Sequence, residues 1–151
     1  MGGQLKFLVC GLLLVATGAG CSSGEEKPDY EVFPVSGLVT VNGEPAKGVS
    51  VTFLPEQGVP GPGGFAGSGD DGRFTVMMSD GQEGLPAGSY RVLLTQLLMP
   101  DGSPIPEGAM AADVGAQNHL PPQLNDPTKS PYQVTVEEGG TDSVELDIKA
   151  K

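Results

Sequence analysis

From Pro34 onward the chain alternates apolar and polar residues with a period of two, the pattern of strands that bury one face. Val35, Gly37, Val39 and Val41 share one face and Ser36, Leu38 and Thr40 the other, which predicts a first strand over 34–41. Asn42-Gly43 follows, and both residues tolerate positive φ, so a turn is expected there. In the second strand Val49, Val51 and Phe53 alternate with Ser50, Thr52 and Leu54. Phe65 to Ser68 and Arg73 to Met77 flank Gly69-Asp70-Asp71-Gly72, which reads as a hairpin. The clearest strand is Tyr90 to Gln96, with Tyr90, Val92 and Leu94 inward. Tyr132, Val134 and Val136, then Val144, Leu146 and Ile148, mark two closing strands joined across Glu137-Glu138-Gly139-Gly140. About seven short strands and no amphipathic helix predict an all-β fold, an antiparallel β-sandwich. Phe74, Tyr90, Val92, Val136 and Leu146 are expected between its sheets.

Residues 97–131 break the alternation and carry Pro100, Pro104, Pro106, Pro121, Pro122, Pro127 and Pro131. A connection this long without structure is uncommon in a compact domain. Ala109 to Val114 has room for one helical turn. Leu97, Leu98, Met99, Ile105, Met110 and Val114 leave two readings open: a partner-binding loop, or a lid folded back on one sheet edge. With 24 Gly and 14 Pro in 151 residues, the composition reaches the range of disordered chains. Their concentration between alternating segments makes them turns instead.

The start of the chain follows another rule. An apolar run, Phe7 to Ala16, leads into Thr17-Gly18-Ala19-Gly20, then Cys21 and the polar stretch Ser22 to Pro28. A short apolar region ending in small residues is an export signal. Followed directly by Cys, the segment resembles a bacterial lipoprotein leader, with Gly18 where such leaders usually carry Leu. The resemblance implies a signal peptide over 1–20, a lipidated Cys21, a polar tether over 21–33 and a domain over 34–151. A plain cleaved signal and an uncleaved anchor are the other readings. The second suffers because the run is shorter than the roughly 20 residues a membrane helix needs.

Loss of the leader removes Lys6 alone among the charged residues, leaving 19 acidic against 7 basic side chains. That balance excludes nucleic acid as a partner, since phosphates need a basic patch. It also means that an acyl anchor, not charge, would hold the chain at an anionic bilayer. Cys10 would leave with the leader and Cys21 would be acylated, so no disulfide is expected.

Three stretches resemble the carboxypeptidase regulatory-like (transthyretin-like) β-sandwich. Val35-Ser36-Gly37-Leu38-Val39 through Gly43-Glu44-Pro45-Ala46-Lys47-Gly48-Val49-Ser50-Val51 is similar to that family's opening strands. Asp70-Asp71-Gly72-Arg73-Phe74 resembles its Asp-to-Phe turn, and Leu85-Pro86-Ala87-Gly88-Ser89-Tyr90 its entry to the next strand. Leu120 through Ile148 resembles small lipoproteins of planctomycete-like bacteria. The resemblance implies a transthyretin-like, Ig-like module, largely structural or accessory, with no reaction attached.

Chemistry is sparse. His119 is the single histidine, and it sits in the proline-rich insertion, where a solvated loop position is expected. Gly67-Ser68-Gly69 lacks the spacing of a nucleophile elbow, and no phosphate-cradling loop occurs. Asp70 and Asp71 are the candidate ligands for a hard cation such as Ca²⁺. No EF-hand spacing surrounds them, and adjacent acids serve a turn equally well. Hence no enzyme, cofactor or metal is expected. The expected function is a non-enzymatic, exported lipoprotein of the periplasm or cell envelope, held to the membrane through Cys21. It would act as a binding or structural module toward an envelope protein or glycan. The alternative is an accessory domain that binds glycan or peptide for a separate envelope enzyme. Intact-mass analysis of the native protein should show residues 1–20 absent and Cys21 carrying two or three acyl chains. A retained leader or a bare Cys21 thiol would remove the anchor.

Overall fold

Ten strands form over residues 29–150, the part of the chain that the computed structural model describes, and they stack as two sheets. Cys21, the leader and most of the tether lie outside those residues. Seven strands are three residues or longer: β1 (Val35–Val41), β3 (Val49–Pro55), β4 (Gly64–Gly67), β5 (Arg73–Thr75), β7 (Gly88–Leu98), β9 (Gln133–Val136) and β10 (Thr141–Ile148). Three two-residue pieces, β2 (Glu44–Pro45), β6 (Met77–Met78) and β8 (Gln117–Asn118), complete the set. The protein is a β-sandwich.

Sheet one is centred on β1, with β10 on one side and β5 and β2 on the other. Sheet two runs β6, β4, β3, β7, with β9 and β8 sharing the far side of β7. The alternation places the inner faces as expected. Val35, Val39, Phe74, Val144, Leu146 and Ile148 come from sheet one. Val49, Val51, Phe53, Tyr90, Val92, Leu94 and Val136 come from sheet two, and all are buried. The five residues expected between the sheets are among them. Asn42 (φ 53°) and Gly43 (φ 86°) form the tight β1–β2 turn, a backbone only such residues adopt freely.

The pairing corrects the sequence reading in four places. First, Gly69-Asp70-Asp71-Gly72 does make a tight turn, with the Gly69 amide donating to the Arg73 carbonyl at 2.8 Å. The flanking strands are not a hairpin, however: β4 pairs with β3, whereas β5 crosses to β1. That crossing sets Phe74 opposite Gly37, where a Cβ would stand 2.8 Å from the Phe74 ring and 2.1 Å from the Val144 carbonyl. Second, β9 and β10 are not paired across Glu137-Glu138-Gly139-Gly140. β9 joins β7 and β10 joins β1, and the β1–β10 pair is parallel in an otherwise antiparallel fold. An extra residue in β10 between Thr141 and Val144 bulges that pair near its start.

Third, the folded part begins before Pro34. Phe33 and Leu85 exchange backbone hydrogen bonds of 2.9 and 2.8 Å, and Tyr30, Val32 and Phe33 pack on the core. Aromatic and β-branched side chains find burial there, so a tether could extend only to about residue 29. Fourth, the insertion is not uniformly irregular. Residues 117–131 fold back along β7, whereas the apolar positions that suggested a lid lie in β7 itself or in the turns over 99–116, with Leu97 and Met110 exposed. β8 pairs with Leu97 and Leu98, a 3-10 turn spans Pro122–Asn125, and Leu120, Leu124 and Ser130 are buried. Residues 99–116 form turns beyond the sheets, with one helical turn closed by the Val114 amide on the Met110 carbonyl.

Phe74→Ala should cost about 3–5 kcal/mol in denaturant unfolding, as deletions of buried aromatics do. A loss under ~1 kcal/mol would mean a surface site. Amide exchange should divide the insertion, fast over 99–116 and slow at Asn118 to Ser130. Uniform rates across the two parts would contradict the packing of Leu120 and Leu124.

Candidate functional site

Asp70 and Asp71 occupy the tip of the β4–β5 turn, and each faces a cation of this chain. The Asp70 carboxylate pairs with the Lys47 ammonium, raising the Lys47 pKa through that bond. Asp71 accepts the Arg73 amide at 3.1 Å and lies 3.6 Å from the Arg73 guanidinium. Among the described residues no third His, Cys, Asp or Glu joins them as a metal cluster. The same geometry recurs elsewhere. Asp80, Asp101 and Asp126 each accept the amide two residues on, at 3.1, 2.9 and 2.8 Å. Turn chemistry thus accounts for these acids locally.

His119 is exposed in the folded-back part of the insertion, its Nε2 3.0 Å from the Met99 carbonyl. It helps hold the start of the projecting turns. The insertion's return is clamped at Ser130, whose buried hydroxyl donates to the Val92 carbonyl. Arg91 donates to the Ser130 carbonyl at 3.1 Å and to Glu56 at 3.1 Å, and Gln133 donates to the other Glu56 oxygen at 2.6 Å. This network ties three segments to β7 at one point.

The concavity richest in unassigned polar groups lies on the outer face of sheet one. It is a shallow depression of about 400 Å³ lined by residues of β1, β5 and β10. Strand register sets Glu145, Leu38 and Arg73 in one row, with Leu38 between the two charges. At about 4.8 Å per strand, the acid and the base stand roughly 10 Å apart at their backbones. Ser36, Thr75 and Ser143 supply hydroxyls beside them. Such a tray can hold a polar or zwitterionic chain by hydrogen bonds and charge. It offers no imidazole, thiol or activated hydroxyl for covalent chemistry. Sequence reasoning missed it because its outward positions become neighbours only through the β1–β5 and β1–β10 pairings. The outer face of sheet two differs: Phe65 and Met77 lie side by side and exposed, next to Leu54 and Pro62.

No family model matches the chain, and no curated protein matches it. Among solved structures it is similar to a DUF3823 family protein from Parabacteroides merdae ATCC 43184 at 19% identity and a TM-score of 0.41. The match covers 81% of this chain and 48% of that one, so the chain spans about half the length of its structural neighbour.

Thr128 and Lys129 hold Asp126 well below the ordinary carboxylate value of 3.8, at about 2, the Thr128 hydroxyl contributing most. A depressed folded pKa stabilises above the unfolded value and is lost as pH falls through the folded one. Stability should therefore fall as pH drops from about 4 toward 2. Thr128→Ala should move the Asp126 carboxyl NMR titration upward toward 3.8. An unmoved midpoint would show that the hydroxyl is not the cause.

Proposed function

We propose that the chain is a non-enzymatic cell-envelope lipoprotein, exported and held at the membrane through Cys21, acting as a binding or structural module. We propose further that its sandwich is of the carboxypeptidase regulatory-like kind. The quoted motifs support this, since they fall on working features of the fold. These are the Asn42-Gly43 turn, the turn before Phe74, and the Tyr90 hydroxyl, which donates to the Pro86 carbonyl at 2.8 Å.

The observation that carries the tethered reading is where the chain enters. Tyr30 and Phe33 dock at the pole that bears the 56–63, 79–87 and 137–140 loops. The 42–48 turn, the 68–72 turn and the projecting 99–116 segment lie at the opposite pole, about 36 Å away along the 11-residue β7. An anchor at Cys21 would leave both flat faces and the far pole clear of the bilayer. The entry pole exposes Glu31, Asp80, Glu83, Glu137 and Glu138, and anionic head groups repel such a surface. The module would stand off the membrane on its tether.

The accessory-domain alternative draws on the sheet-one tray. Phe74, the aromatic at its floor, is buried, so no ring is offered there for sugar stacking. The charges and hydroxyls favour a peptide over a glycan. Fractionation tests the anchor: the wild type should sediment with membranes, and Cys21→Ser should be exported yet soluble. Cross-linking on intact cells should trap a discrete envelope partner with the anchored form. A soluble wild type, or no discrete partner, would defeat the proposal.

A further inference from the structure

We infer that the free edge of β10 accepts an extended, lysine- or arginine-bearing segment of another protein as an added strand. The inference deepens the binding-module reading and rests on it. Of the four sheet edges, three end in strands of two to four residues, whereas β10 offers eight. The Thr141 amide donates to the Pro34 carbonyl at 2.9 Å and the Ile148 carbonyl accepts the Asn42 amide at 2.8 Å. Backbone groups alternate sides along a strand, so Val144, Leu146 and Ile148 bond β1, while Ser143, Glu145 and Asp147 point their amides and carbonyls away from it. The Asp147 carbonyl is taken by the Tyr132 hydroxyl, which ends the open stretch. What remains is the edge of Ser143 and Glu145 and the Asp147 amide, beside the polar tray of sheet one.

Charge selects the occupant. Asp142, Glu145 and Asp147 are exposed along this strand, and among the described residues only Lys149 stands near one of them, 3.9 Å from Asp147. A basic side chain on an added strand would lie beside Glu145, a favourable cross-strand pair. A second copy of this chain fits poorly, since antiparallel β10 edges would set acids opposite acids.

The probe is a short synthetic peptide of alternating lysine and valine, titrated against the full chain. It should bind, and its version with glutamate for lysine should not. Glu145→Pro deletes an outward amide together with the carboxylate and no β1 bond, and Glu145→Gln deletes the carboxylate alone. The melt should hold in both, and affinity should be about tenfold or more lower in Glu145→Pro than in Glu145→Gln. Alternate N-methylation of the peptide should weaken binding similarly with the protein untouched. Undiminished binding of the methylated peptide, or equal affinity in Glu145→Pro and Glu145→Gln, would reduce the effect to charge attraction and overturn the added strand. Self-association of the wild type that Glu145→Pro abolishes would give the edge to a second copy and overturn it equally. Capture of the same envelope partner by wild type and Glu145→Pro would remove this inference and leave the binding-module reading standing.

Discussion

The contact between Phe74 and Phe53 joins the two sheets at the centre of the molecule. Their ring centroids are 6.3 Å apart and tilted by 43°, and Tyr90 meets Phe53 edge-on at the same 6.3 Å. Phe74 belongs to sheet one, Phe53 and Tyr90 to sheet two, so the cluster is the clasp of a sandwich whose described part contains no cysteine. Its geometry depends on Gly37, since any side chain there would meet both the Phe74 ring and the Val144 carbonyl. The bulge in β10 ends at the same level, at the Gly37–Val144 pair. One glycine thus sets how tightly three strands of sheet one converge.

Strands that change sheets follow from that clasp. β5 lies in sheet one and β6 in sheet two, with Val76 buried at the corner and its amide on the Val35 carbonyl. β9 and β10 repeat the manoeuvre at the other corner, where the Tyr132 hydroxyl binds the Asp147 carbonyl across the gap. Each crossing binds the layers covalently and leaves fewer long free edges. The edge of β10 is the exception, and its exposed carboxylates guard it against pairing with a like edge.

Acidity has two origins that are worth separating. Four aspartates close turns on the amides two residues ahead, and three of them have lowered pKa values, Asp80 chiefly through the Gln82 amide and Asp101 and Asp126 chiefly through the Ser103 and Thr128 hydroxyls. Other acids, Glu31, Glu83, Glu137 and Glu138 among them, sit exposed at the pole where the chain enters. The first group is explained by local folding. The second shapes the field of the whole domain.

Strand positions and inward faces were legible in the sequence, because period-two alternation is a local property of the chain. So were the Asn42-Gly43 turn and the burial of Phe74, Tyr90, Val92, Val136 and Leu146. The Asp70-Asp71-Gly72 turn was legible as a reversal, but a turn signal does not say which sheet receives the strand that follows. Only the packing of Phe74 against Gly37 and Phe53 decided that β5 leaves β4 for β1. The parallel β1–β10 pair, the docking of Tyr30 and Phe33, and the folding back of 117–131 have the same cause. Each depends on apolar surface contributed by residues far away in the chain, and so does the tray of Arg73, Leu38 and Glu145, which exists only once three separate strands lie side by side.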